Sequence, residues 1–207
     1  MKVRLHLTQP SRQRTRKSKL KKYYLYTLGC QMNYSDSQRI ASKLNSIGYK
    51  SASEEEADLV VVNSCSVRQH AVDKIWGGIR NWKKTGKDII ITGCVVEADR
   101  KKFAERDVKF LNIADLASWF GGDPREYLSI EPKFDDSKVA FITIMSGCDN
   151  FCSYCAVPFT RGREVSRPIE GVIKEVKKAL TMGYKELLLL GQNVNSYGIK
   201  NRKYRIY

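Results

Sequence analysis

Residues 58–65, DLVVVNSC, place a run of β-branched residues directly before a short polar end that carries a cysteine. A short apolar run with polar residues on both sides predicts a buried strand, here over residues 59–62. Cys65 then lies just past the carboxyl end of that strand. The same arrangement occurs twice more in the chain, at residues 23–30 and at residues 88–94.

Segments with a helical spacing of apolar residues follow these runs, near residues 35–47, 71–83 and 97–106. Strands that alternate with helices predict an α/β fold with an open, mostly parallel sheet. In such a sheet the carboxyl ends of the strands lie along one edge, where these folds bind their ligands. We therefore expect Cys30, Cys65 and Cys94 to meet at this edge as ligands of a metal centre. The alternative is that each cysteine packs singly in the core as a small apolar residue.

Residues 146–168, SGCDNFCSYCAVPFTRGREVSRP, carry the other three thiols, Cys148, Cys152 and Cys155, on one loop with the spacing C-x3-C-x2-C. Three thiolates on a tight loop suit a soft metal centre, and an iron–sulfur cube held by three of them keeps one iron open to a small molecule. A strand-like run precedes the loop, and a helix and a second strand follow it, at residues 139–145, 168–182 and 186–190. This order predicts the start of a parallel barrel or of a second open sheet.

Five side chains next to the loop thiols have two interpretations each. Arg161, Arg163 and Arg167 either favour the thiolate form of the loop cysteines or belong to a solvated or RNA-facing basic loop. Phe151 and Tyr154 either shield a metal centre or stack on an adenine ring.

The composition predicts a soluble globular chain, with 42% hydrophobic and 29% charged residues. No apolar run approaches the length of a membrane span, and the charged amino terminus argues against a secretory signal. We therefore expect a cytoplasmic protein without a membrane partner. In such a chain, six cysteines favour metal ligation over disulfides.

The net charge of +15 is concentrated at the amino terminus. Residues 1–22 contain nine Lys or Arg residues and no acidic residue, whereas the rest of the chain has 28 basic and 22 acidic residues. A flexible basic arm suits a polyanionic partner such as RNA. A solvated tail without a role and a short organellar presequence are the alternatives. After the arm, we predict a domain over residues 23–120, a Gly-, Pro- and Asp-rich linker over 121–138 and a second domain over 139–207.

Several separated motifs resemble those of the radical S-adenosylmethionine methylthiotransferase family and occur in the same order. The motifs are TLGCQMN (residues 27–33), NSCSVR (63–68), TGC (92–94), the stretch 146–168 and LGQNVN (190–195). The resemblance covers about residues 23–198. The CQMN element and residues 154–168 look most like the branch that makes 2-methylthio-N6-dimethylallyladenosine in tRNA.

This resemblance implies two [4Fe–4S] clusters. The first would be held by Cys148, Cys152 and Cys155 and would bind S-adenosyl-L-methionine at its open iron. The second, an auxiliary cluster for sulfur transfer, would be held by Cys30, Cys65 and Cys94. Gln192 and Asn193 would contact S-adenosylmethionine, with a polar turn or helix cap as the alternative. No catalytic residue is assigned beyond these cluster ligands.

The resemblance also implies a fold and an activity. Residues 23–120 would form the N-terminal methylthiotransferase domain, and residues 139–207 the first β/α units of a radical-SAM partial TIM-like barrel. The enzyme would add a methylthio group to ring carbon 2 of N6-isopentenyladenosine beside the tRNA anticodon. Its partners would be tRNA and an electron donor such as flavodoxin or ferredoxin.

Only the first strands of the family's barrel fit into residues 139–207, so we expect a truncated chain whose turnover on its own is in question. One alternative is a catalytically incomplete fragment that acts only as an iron–sulfur or RNA-binding protein. Another is a relative that thiomethylates threonylcarbamoyladenosine in tRNA or a ribosomal-protein aspartate.

Overall fold

A computed structural model describes residues 21–65, 69–119, 124–135 and 138–198. Residues 1–20 of the predicted basic arm lie outside these ranges, as do parts of the predicted linker (121–123 and 136–137) and residues 199–207. The first strand begins at Lys22, one residue earlier than predicted.

The first part of the chain alternates strands and helices. Its elements are β1 (Lys22–Leu28), α1 (Gln31–Ser46), β2 (Lys50–Ser51), β3 (Leu59–Cys65), α2 (Gln69–Lys84), β4 (Asp88–Cys94), α3 (Glu97–Ala104) and β5 (Lys109–Phe110). Two 3-10 helices follow, Ile113–Ser118 and Pro124–Ser129.

The strands of this part form a five-stranded sheet with the order β2-β1-β3-β4-β5, and every pair in it is parallel. The predicted open parallel α/β sheet is thereby confirmed. The central strand β3 is buried along its whole length, because helices cover both faces of the sheet. Val60 and Val62 pack with α2, whereas Leu59 and Val61 on the opposite face pack with α1.

The second part contains β6 (Val139–Thr143), β7 (Met145–Ser146), α4 (Val157–Thr160), β8 (Val165–Ser166), α5 (Ile169–Thr181), β9 (Glu186–Leu190) and a 3-10 helix, Val194–Ser196. Strands β6 and β9 pair in parallel with α5 between them in sequence, whereas β7 and β8 form a short antiparallel pair. The described residues of this part thus hold one β-α-β unit and no closed barrel.

The single strand predicted at residues 139–145 is wrong at Ile144, which separates β6 from β7. The backbone of Ile144 has two different neighbours: its N–H donates to Leu190 O, and its carbonyl accepts from Arg167 N. The chain therefore changes partner here, from β9 on one side to β8 on the other. This turn brings the cysteine loop to the end of the parallel pair.

Buried polar contacts join the second part of the chain to α1. Ser35 Oγ lies 2.8 Å from Thr143 Oγ1. Arg39 Nη2 donates to both carboxylate oxygens of Glu175, at 3.0 and 3.2 Å, and Arg167 Nη2 lies 2.8 Å from the same carboxylate. Because these charges are almost completely buried, the two parts are held in a defined arrangement.

No helix in the described residues has the length and apolar character needed to cross a membrane.

Candidate metal centres at the sheet edge and the cysteine loop

Cys65 and Cys94 are the last residues of β3 and β4 and occupy partner positions in the parallel register. Each strand thus includes its cysteine, whereas the sequence predicted that the strand would end before it. The polar end of β3 remains in the ladder, and the Asn63 side chain is hydrogen bonded inside the fold. Asn63 Nδ2 donates to Asn33 O at 2.7 Å and to Ser37 Oγ at 3.0 Å. The two thiols are hydrogen bonded to each other.

Cys30 reaches the same edge through the first turn of α1. Its backbone N–H and its Sγ both donate to Asn33 Oδ1, at 3.2 and 3.4 Å. The Asn33 amide in turn donates to Asn63 Oδ1 at 2.9 Å and to Ser64 O at 3.2 Å. Asn33 therefore ties Cys30 to the end of β3, directly beside Cys65. All three strand-end cysteines lie at the carboxyl edge of the sheet.

Gly93 is required by this close packing. Its φ is +98°, and a Cβ atom there would lie 2.3 Å from Ser64 O and 2.5 Å from Asn63 Oδ1. Only a residue without a side chain fits between the two polar strand ends.

The loop that follows β7 carries the other three cysteines, and none of the six forms a disulfide. Cys148 is buried, and its N–H donates to Gly162 O at 3.2 Å. Cys152 is exposed and Cys155 half-buried, with a bond from Cys155 N to Cys152 O of 3.0 Å. The loop therefore turns back on itself, and its three thiols differ in burial.

The two aromatic residues of the loop are exposed, and their shielding of a metal centre stays a prediction. Tyr154 is 89% exposed, and the negative charge of Cys152 beside it raises the pKa of its hydroxyl. Phe151 is 45% exposed, packs edge-on against Phe159 and has the Arg163 guanidinium 4.6 Å from its ring centroid.

Gln192 contacts the loop directly. Its Oε1 accepts from Gly147 N at 2.6 Å, one residue before Cys148. Gly147 itself has a φ of +81°, and a Cβ atom there would lie 2.1 Å from Arg163 O. Asn193 begins the last 3-10 helix without a side-chain cap bond, so the helix-cap alternative does not describe its side chain. Their contact with S-adenosylmethionine stays a prediction.

Arg161, which follows the cysteine loop in sequence, contacts a cysteine of the sheet edge. Its side chain is buried, its Nε donates to Cys94 Sγ at 2.9 Å, and its Nη2 lies 2.6 Å from Asp36 Oδ2. The Tyr127 hydroxyl donates to the other Asp36 oxygen. Burial contradicts the solvated or RNA-facing interpretation of Arg161, whereas its effect on the thiols of its own loop stays a prediction.

The comparisons with known proteins agree with the motifs. Residues 22–113 match the pattern of the uncharacterized protein family UPF0004. A tRNA-2-methylthio-N(6)-dimethylallyladenosine synthase from Fervidobacterium nodosum is 39% identical over 196 residues, which cover 86% of this chain and 45% of the relative. The chain is thus similar to a methylthiotransferase over most of its own length.

Two further relatives with the same name give similar values. The protein from Geobacter sulfurreducens is 40% identical, with 86% of this chain and 46% of the relative covered. The protein from Syntrophotalea carbinolica is 37% identical, with 87% of this chain and 48% of the relative covered. The chain thus spans less than half the length of these curated relatives.

The donor sets of this chain consist of thiols, which are the ligands of iron–sulfur clusters. Among the described residues, no three His, Cys, Asp or Glu side chains come close enough together to hold one ion. A single zinc ion needs all its thiolates about 2.3 Å from one point. A four-iron cube spreads its ligands over its own width and is held by thiolates alone. Each of the two cysteine sets offers thiols of this kind.

The electrostatics of the metal-free edge are set by burial. The hydrogen bond with Cys65 and burial raise the pKa of the Cys94 thiol, while the charge of Arg161 acts in the opposite direction. Burial alone would lower the pKa of Arg161, but Asp36 and Cys94 hold it above its ordinary value. Metal ligation needs the thiolate form, so the hydrogen bond with Cys65 and burial oppose the proton release that metal binding requires of Cys94, whereas Arg161 favours it.

Proposed function

We propose that this chain provides the two cluster-binding sites of a tRNA methylthiotransferase. The reaction is the addition of a methylthio group to ring carbon 2 of N6-isopentenyladenosine beside the anticodon, by radical S-adenosylmethionine chemistry. One observation carries the proposal: the fold sorts six cysteines into two sets of three, one at a parallel-sheet edge and one on a loop at the end of a β-α-β unit.

Cys148, Cys152 and Cys155 would hold the [4Fe–4S] cluster that binds S-adenosyl-L-methionine. When bound, that cluster supplies the electron that cleaves the sulfonium and starts radical chemistry. The chain itself fixes the loop: Gly147 adopts the left-handed backbone that the turn needs, and Gln192 Oε1 accepts a hydrogen bond from its N–H. We infer that Gln192 and Asn193 contact S-adenosylmethionine, and the bond of Gln192 to the loop supports this for Gln192.

Cys30, Cys65 and Cys94 would hold the auxiliary [4Fe–4S] cluster that serves sulfur transfer. The buried amide of Asn33 and its bonds to the end of β3 support the exclusion of bulk water from this edge. Exclusion of water protects reactive intermediates from side reactions.

The remaining parts of the proposal concern domains and partners. Residues 23–120 form the methylthiotransferase domain, 121–138 the linker, and 139–207 the start of the radical-SAM barrel. The substrate is tRNA, the basic residues 1–22 suit its phosphates, and a flavodoxin or ferredoxin supplies electrons in the cytoplasm.

The test is anaerobic reconstitution of the 207-residue chain with iron and sulfide, followed by reaction with S-adenosylmethionine, a reductant and an anticodon stem-loop that carries N6-isopentenyladenosine. We expect 5′-deoxyadenosine by chromatography and a 2-methylthio nucleoside by mass spectrometry, and neither from Cys148→Ala. Clusters without 5′-deoxyadenosine would indicate a cluster-binding protein instead. A product only from threonylcarbamoyladenosine would indicate the other tRNA branch.

A further inference from the structure

Arg161 and its neighbour Gly162 make contact with both cysteine sites at once. The Arg161 side chain donates to Cys94 Sγ at the sheet edge, at 2.9 Å. The carbonyl of Gly162, the next residue, accepts from the backbone N–H of Cys148 at 3.2 Å. A single dipeptide therefore spans from a predicted ligand of one cluster to a predicted ligand of the other.

The guanidinium is held too firmly for this contact to be incidental. The side chains of Arg161 and Asp36 are 1% and 0% exposed, and their ion pair is 2.6 Å long. Tyr127 donates to the same carboxylate. Buried charges are stable only when they are paired and hydrogen bonded, so the network fixes the direction of Nε toward Cys94.

One donor of the guanidinium is left over. Arg161 Nη1 is buried and has no hydrogen-bond partner among the described residues. A buried donor without an acceptor costs about 1–3 kcal/mol. The cost is understandable if the guanidinium also serves an acceptor of the assembled sheet-edge site, such as a cluster sulfide.

We propose that Arg161 is the positioning residue that joins the two cysteine sites and sets the electronic properties of the sheet-edge cluster. The inference rests on the proposed function, since it requires clusters at both sites. A charge-assisted N–H bond to a ligating sulfur stabilises the reduced, more negative cluster and so raises its reduction potential. The cluster of the loop receives only a backbone contact from this segment and does not depend on the guanidinium.

The alternative is that Arg161 is a buried ion-pair partner of Asp36 with a purely structural role. That role would affect the free energy of unfolding but not the potential of a cluster. The two are separated in the full chain with Cys148, Cys152 and Cys155 replaced by alanine, so that only the sheet-edge cluster is reconstituted. In this background we compare Arg161→Lys with the matched control Arg167→Lys, another buried arginine of the same segment, which pairs with Glu175 and contacts no cysteine side chain among the described residues.

The readout is the midpoint potential of the cluster in a redox titration followed by electron paramagnetic resonance. Arg161→Lys keeps a charge for Asp36 but cannot reach both partners with a fork of donors. We expect Arg161→Lys to have a lower midpoint potential than the parent, or to bind no cluster although its circular dichroism spectrum matches that of the parent. Arg167→Lys should keep the potential of the parent. Normal iron content and an unchanged potential in Arg161→Lys would overturn the inference. A parent chain that binds no iron at this edge would overturn the proposed function together with it.

Discussion

Cys65 and Cys94 face each other across two neighbouring parallel strands, as the terminal pair of the β3–β4 ladder. Their separation is set by the register of the whole ladder, because a slip of one residue would turn each side chain to the other face of the sheet. The apolar pairs that precede them, such as Val62 and Ile91, are completely buried and specify that register. The hydrophobic core thus determines where the two thiols meet.

Gly93→Ala is expected to damage this edge strongly. The substitution combines a left-handed backbone with contacts of 2.3 and 2.5 Å to the end of β3. The backbone cost and the overpacking together predict a loss of about 3 kcal/mol in the free energy of unfolding, measured by urea denaturation. Iron bound by Cys30, Cys65 and Cys94 is expected to fall with it.

Gly183→Ala is the matched control for this change. Gly183 has a φ of +89°, and a Cβ atom there would meet nothing within 4 Å. Only the backbone cost applies, so the expected loss is about 1 kcal/mol. Equal losses for the two variants would contradict the steric role given to Gly93.

Glu175→Gln tests the junction between the two parts of the chain. The carboxylate is buried between Arg39 and Arg167, so the amide would leave two buried guanidinium groups without a counter-charge. We expect a loss of about 3–5 kcal/mol in the free energy of unfolding.

Glu131→Gln serves as the control for that variant. Glu131 is 48% exposed on its side chain and pairs with Lys174 and Lys178. Because solvent screens these pairs, the expected loss is below about 1 kcal/mol. A similar small loss for Glu175→Gln would show that the buried pairs do not hold the two parts together.

Leu189→Lys tests the edge of the second sheet. Strand β9 pairs only with β6 among the described residues, and Leu188 and Leu189 are 41% and 45% exposed. An apolar edge strand promotes association between chains, and a lysine opposes it. Light scattering should show less self-association for Leu189→Lys, whereas Ile173→Lys, on the exposed face of α5, should reduce it less. If the two variants associate equally, the exposed edge of β9 is not the surface through which the chains associate.

The sequence was sufficient for the parallel sheet and for the position of the strand-end cysteines. Both follow from local burial patterns: β-branched runs mark the buried strands, and parallel strands share one carboxyl edge. The sequence was not sufficient for Arg161, whose partners Cys94 and Asp36 lie 67 and 125 residues away. A polar contact at such a distance leaves no periodic pattern, so composition suggested a role within its own loop.

The predicted linker shows the same limit. Its glycines, prolines and aspartates indicated a connection without a core, yet Tyr127 is buried with the first core and bonds to Asp36. Phe134 likewise packs with the second core, where its ring lies 5.4 Å from that of Tyr184. A single buried aromatic in a polar segment has no helical or strand period, and only the packing reveals it.

The central claim is that the six cysteines form two separate cluster sites, and the most direct measurement is the iron and acid-labile sulfide content after anaerobic reconstitution. Two four-iron clusters predict about eight iron atoms per chain. We expect about half of that amount when Cys30, Cys65 and Cys94 are replaced by alanine, and the same half when Cys148, Cys152 and Cys155 are replaced. Zinc in place of iron, or the loss of all iron from either triple variant, would contradict the claim.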